Sequence, residues 1–86
     1  MLSRDEISRI IIKILVDDFE FKDPKLDDNL RDAHGFDSID AIELLAKIEK
    51  MLGFSLTRAE KEAAMDIRTI NDILNYLDTI QRRREI

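Results

Sequence analysis

Ser38 is the residue on which chemistry could be hung. It follows Gly35-Phe36-Asp37 and opens the run Ile39-Asp40-Ala41-Ile42-Glu43-Leu44-Leu45. A glycine, a carboxylate of capping type and then an apolar-periodic run mark the start of a helix. A serine at that start has an exposed hydroxyl in the positive field of the helix N-terminus, which suits a phosphate ester. It does not make a self-contained active site. The single histidine, His34, has no cysteine partner, and nothing in the spacing supplies the orienting group of a triad. No catalytic residue is therefore assigned, and His34 is expected to be a surface loop residue.

Metal chemistry fares no better. No His or Cys cluster has ligand spacing. The window from Asp32 to Glu43 places Asp32, Ile39, Asp40 and Glu43 where a calcium loop has its first, eighth, ninth and twelfth positions. His34 and Phe36 replace the oxygen ligands at the third and fifth, and Asp37 stands where glycine makes the sharp turn. No metal site is expected.

Four helical segments can be read around Ser38. The first opens at Ser3, with Glu6 completing a capping box and Leu2 placed to staple against Ile7; Ile7, Ile10, Ile11, Ile14 and Leu15 form one apolar stripe. From about Phe19 to Phe36 the periodicity lapses through Pro24 and Asp27-Asp28-Asn29. Leu26 and Leu30 are expected to plug this long connection onto the core, with a short turn of helix around 28–33. The second helix runs from Ser38 to about Leu52, capped by Asp37 and stopped by Gly53. Ala41, Leu44, Leu45, Ile48 and Leu52 share its core face. Ile39, Ile42 and Ala46 fall on the opposite side, where a helix packed on one face has no structural need of them. Thr57 and Glu60 cap a short third helix to about Met65, with Ala59, Ala63 and Ala64 as small packing residues. Thr69 caps a fourth, with Ile70, Ile73, Leu74, Leu77 and Ile80 as its stripe. The expected fold is all-α: a small four-helix bundle of three longer helices and one short one, with a long first loop.

Size and composition bound the rest. A chain of 86 residues is expected to form one domain, 1–86, with one modest core and a flexible basic tail from about residue 81. The net charge of −5 repels nucleic acid and steers toward basic protein surfaces. Arg82-Arg83-Arg84 reads as a solvated tail that also complements a helix C-terminus. No stretch reaches the ~20 apolar residues of a membrane span, and no signal peptide opens the chain. The absence of cysteine fits a reducing cytosol, so a cytoplasmic protein is expected; it is also expected to be a monomer.

The segment Leu30-Arg31-Asp32-Ala33-His34-Gly35-Phe36-Asp37-Ser38-Ile39-Asp40-Ala41-Ile42-Glu43-Leu44 resembles the prosthetic-group site of acyl carrier proteins, whose signature is Gly-x-Asp-Ser-Leu followed by an acid. The likeness extends over nearly the whole chain, through the amphipathic first helix, the long loop, Gly53-Phe54 and the final helix opened by Thr69-Ile70. It implies that a phosphopantetheinyl transferase attaches 4′-phosphopantetheine to Ser38, with Asp37 helping to hold that enzyme's Mg²⁺. Acyl groups would then ride the arm's thiol as thioesters between acyl-transferring and condensing enzymes of fatty acid, polyketide or related lipid biosynthesis. Ile39, Asp40, Ile42, Glu43 and Ala46 match the family's recognition helix, and the core between the second and third helices would open for the acyl chain.

Ile39 replaces the usual leucine, Lys47, Lys50, Arg58 and Lys61 dilute the usual acidity, and the stretch from Leu56 to Ile70 is about three residues longer than usual. These departures point to a specialised freestanding carrier. An aminoacyl or peptidyl carrier usually shows Gly-Gly-x-Ser instead. A helical adaptor without a prosthetic group, docking through Ile39, Ile42 and Ala46, is the reading from another class.

Overall fold

Two of the apolar stripes face each other. The computed structural model describes residues 2–84, and in it α1 spans Arg4–Asp17 and packs on α5, Ile70–Arg84. Ile7, Ile11 and Leu15 from α1 and Ile70, Ile73, Leu77 and Ile80 from α5 are almost completely buried. Each such side chain contributes about 1.5–3 kcal/mol of transfer free energy. Both helices start on the caps that their sequences announce. The Ser3 hydroxyl accepts the Glu6 N–H at 3.2 Å and the Ser3 N–H donates to Glu6 Oε1 at 3.4 Å. Thr69 Oγ1 accepts the Asp72 N–H at 3.1 Å, while Asp72 Oδ2 accepts from the N–H groups of Arg68 and Thr69. A box of this kind is worth about 1 kcal/mol.

The third long helix, α3, spans Ser38–Leu52 and ends on Gly53 in the left-handed conformation. It presents Leu44, Leu45 and Ile48 to the core. Two short helices complete the bundle: α2, Leu30–His34, and α4, Arg58–Ala63, which tightens into a 3₁₀ turn at Ala64–Asp66. The architecture is thus the all-α bundle that the sequence predicts, with the short turn in the first connection present as a capped helix of its own.

The long connection is held differently from expectation. Leu30 is buried, but Leu26 is 41% exposed, and it is Leu26's backbone carbonyl, accepting the Asn71 N–H at 3.1 Å, that fastens this stretch to α5. The Leu30 N–H bonds to Arg68 O at 2.9 Å. Phe21 takes the plugging role, its ring buried between two residues in left-handed conformations, Glu20 and Asp23. His34 is not a surface loop residue: its side chain is 10% exposed, stacked on Phe21 with centroids 4.3 Å apart, and its Nε2 lies 3.1 Å from Asp28 Oδ2. An imidazole flat against a phenyl ring buries its apolar face and leaves its edge for the carboxylate.

Two further expectations are corrected. In α4, Ala59 and Ala63 face solvent; Ala64 packs inward, and Glu60 is the buried member, its carboxylate accepting the Thr57 N–H at 2.8 Å. Tyr76 crosses from α5 to donate its hydroxyl to the Glu60 carbonyl. Burial and, secondarily, the Glu60 charge push the Tyr76 phenol up to about 12. At the C-terminus, the tail expected from residue 81 is helical as far as Arg84. Gln81 is buried and its Oε1 accepts the Leu2 N–H at 3.0 Å, which is why the helix continues there. Residues 85–86 of that tail lie outside the described residues.

Candidate functional site

The path into Ser38 is fixed by three consecutive residues. Gly35 ends α2 at φ 67, a left-handed conformation that glycine adopts without a Cβ penalty, and its N–H bonds to Arg31 O at 3.0 Å. Phe36, whose N–H returns to Leu30 O at 3.1 Å, turns its ring inward and meets Phe19 and Phe21 edge to face at 5.7 and 6.0 Å. Asp37 is extended and caps α3: one oxygen, Oδ1, accepts from the Ile39 and Asp40 N–H groups at 3.0 Å each, and Asp40 Oδ2 accepts the Asp37 N–H at 3.2 Å. Ser38 is then the first helical residue of α3 and is exposed. Its hydroxyl has no hydrogen-bond partner among the described residues. A buried aromatic two residues back and a doubly bonded cap one residue back hold it in place while leaving its oxygen open.

The electrostatics follow from the same contacts. Asp37 already answers the two N–H groups at the head of α3, so the rim beside Ser38 is acidic, with Asp37 and Asp40 adjacent. Asp37 keeps its second oxygen, Oδ2, clear of the cap. Among the described residues, no group of three or more His, Cys, Asp or Glu side chains is arranged to hold a metal ion.

Beyond Ser38, α3 carries its second stripe outward. Ile39 and Ile42 are 68% and 63% exposed, with Ala46 and Glu43 exposed beside them and Asp40 partly so. All five residues assigned to a recognition helix therefore lie on the solvent side, within reach of Ser38 along one helix. Lys47 is turned away from this group and pairs with Asp18 at the end of α1, 3.3 Å distant.

Behind Ser38, on the other face of α3, lies a cavity of about 280 Å³. Leu44, Leu45, Ile48 and Ala64 line it together with Met65 of the 3₁₀ segment, Ile67 just after that segment, and Ser38. It opens between α2, α3 and the segment after α4, whereas the resemblance implies a space between α3 and α4. Arg31 and Arg68 also line it, and neither was singled out from sequence. Arg31 sits on a helix too short to show a periodicity and Arg68 on an irregular connection, so only the tertiary arrangement reveals them.

An exposed, unencumbered hydroxyl at the head of a helix, with an apolar patch on one side and a cavity on the other, suits an attachment module of the carrier kind. The profile of the phosphopantetheine attachment site family matches residues 9–77, and the chain belongs to that family. The protein is accordingly a phosphopantetheine carrier, its cofactor is covalently attached 4′-phosphopantetheine, and carrier domains of this kind are generally non-catalytic. Among the described residues, no helix is long and apolar enough to cross a membrane.

Proposed function

We propose that the chain acts as an acyl carrier protein and that Ser38 receives the prosthetic group. The observation that carries this reading is the open hydroxyl at the first residue of α3 with a cavity directly behind it. In the attachment step the Ser38 oxygen bonds to the phosphorus of coenzyme A that bears pantetheine. The adenosine bisphosphate half leaves, and the hydroxyl proton passes to the transferase. Asp37, with an oxygen clear of its cap, contacts the Mg²⁺ that the transferase brings.

Once in place, the arm supplies a thiol that holds acyl groups as thioesters. The chain's own residues do the addressing. Asp40 and Glu43 steer basic partner rims onto α3, and Ile39, Ile42 and Ala46 fill the centre of a contact small enough for rapid exchange. The pathway we assign is fatty acid, polyketide or related lipid biosynthesis in the cytoplasm, with the carrier acting as a monomer on acyl-transferring and condensing enzymes.

The test is direct. Incubation with coenzyme A, Mg²⁺ and a broad-specificity phosphopantetheinyl transferase adds roughly 340 Da, and Ser38→Ala takes no label. A full mass gain in the Ser38→Ala variant would move the attachment elsewhere and sink the assignment. The exposed Ile39 and Ile42 are shared with the adaptor reading. That reading requires Ser38→Ala to keep function, and an aminoacyl carrier would be exposed by the acid recovered from the native thioester.

A further inference from the structure

An alkyl chain lodged behind Ser38 would need nothing but apolar walls, yet two guanidinium groups line that cavity. Arg31 is exposed on α2, and its guanidinium has no hydrogen-bond or carboxylate partner among the described residues. Arg68 is fixed by its Nη1, which donates to the carbonyls of Met65 and Ile67 at 2.8 and 3.0 Å, and its side chain has no carboxylate partner among the described residues. This differs from Arg58 and Arg82, which pair with Glu62 and Asp78 one helical turn away. Two carboxylates share the cavity lining: Asp37 is engaged in its cap and Asp32 is exposed. The lining is therefore near neutral overall, and selection there comes from directed N–H donors rather than net charge. Both arginines are exposed, and a purely hydrocarbon guest would leave their N–H donors to water. Beside a carboxylate or phosphate they form short, paired, charge-assisted bonds.

We propose that Arg31, with Arg68 lining the same cavity, binds an anionic group of the molecule tethered at Ser38. That group is either a carboxylate borne by the cargo or the arm's own phosphodiester. The proposal rests on the Ser38 reading above.

A matched set of four species tests it: apo protein, holo protein, and protein loaded from pentanoyl-coenzyme A or glutaryl-coenzyme A, whose acyl groups have equal carbon number. Intact mass first establishes loading; an unmodified mass means that the Ser38 reading has failed and carries this proposal down with it. With loading established, two readouts are followed in wild type and in Arg31→Gln, an exposed substitution that leaves the core untouched. One is the thermal midpoint and the other is the NMR resonance of the Arg31 Nε–H. If the anion is on the cargo, the glutaryl form melts about 4 °C above the pentanoyl form, the Arg31 resonance moves only with glutaryl, and Arg31→Gln removes the difference. If the anion is the phosphodiester, the Arg31 resonance moves on conversion from apo to holo and the two acyl forms behave alike. An Arg31 Nε–H that stays unchanged across all four species overturns the proposal, with or without a change in melting.

Discussion

The α1–α5 half of the bundle and the half around α2 and α3 are built from the same aliphatic residues and end up differently packed. In the first, Ile7, Ile11 and Leu15 face Ile73, Leu77 and Ile80, none more than 1% exposed. In the second, Leu44, Leu45 and Ile48 border about 280 Å³ of empty space. Helix length separates them. α1 and α5 run for 14 and 15 residues and offer each other continuous ridges. α2 and α4 have 5 and 6 residues, too few turns to cover α3 along its length. Stability is concentrated where long helices meet, and room for a guest is left where a long helix meets short ones.

The comparison can be broken by truncation. Leu77→Ala, in the closed half, is expected to cost about 4 kcal/mol, whereas Leu45→Ala, on the cavity wall, costs about 2 kcal/mol because its neighbours are already incomplete. Urea unfolding measures both, and equal losses would erase the distinction. His34→Ala comes next, at about 1 kcal/mol, through loss of the Phe21 stack. It also tests a pH effect. The backbone N–H of Lys25 first, and then the His34 side chain, hold the Asp28 carboxyl below its ordinary value. A depressed carboxylate stabilises the fold above its ordinary pKa, and that contribution is lost as pH falls through the lowered folded value. His34→Ala should therefore flatten, without abolishing, the acid limb of the stability profile, since the Lys25 bond persists.

Gly35→Ala is expected to cost about 1 kcal/mol. A Cβ there meets nothing within 4 Å, so the cost arises from the positive φ alone. Loss of the turn would show as slower labelling of Ser38 by the transferase. The smallest effect on stability belongs to Ile42→Asp, within about 0.5 kcal/mol because the residue is exposed. Its effect on partners is the reverse: acyl transfer to a condensing enzyme should fail although the mass gain at Ser38 is retained.

Much of this was legible in the sequence because it repeats locally. The stripes of α1 and α5 follow helical periodicity, and the caps at Ser3, Asp37, Thr57 and Thr69 each sit three residues from a matching acid. The double face of α3 was equally plain, since Ile39 and Ile42 fall opposite Leu44 and Ile48. What could not be read were contacts between residues with no common period. Phe21 stacks on His34 from a stretch in which Glu20 and Asp23 take conformations that non-glycine residues seldom adopt. Leu26 looked like a plug by its hydrophobicity, but it is held by its main chain. A helix as short as α4 has too few turns for its alanines to declare a face. The cavity belongs to no single segment at all, and with it Arg31 and Arg68 were invisible.

The three phenyl rings that meet just upstream of the serine have one further use. Phe19 and Phe21 each meet Phe36 edge to face, and Phe36 is two residues from the residue that would bear the arm. Magnetic shielding from such rings changes with sub-ångström displacement. The protein thus carries its own spectroscopic gauge: aromatic and methyl proton shifts in this cluster will report what is tethered next door, without any label being added.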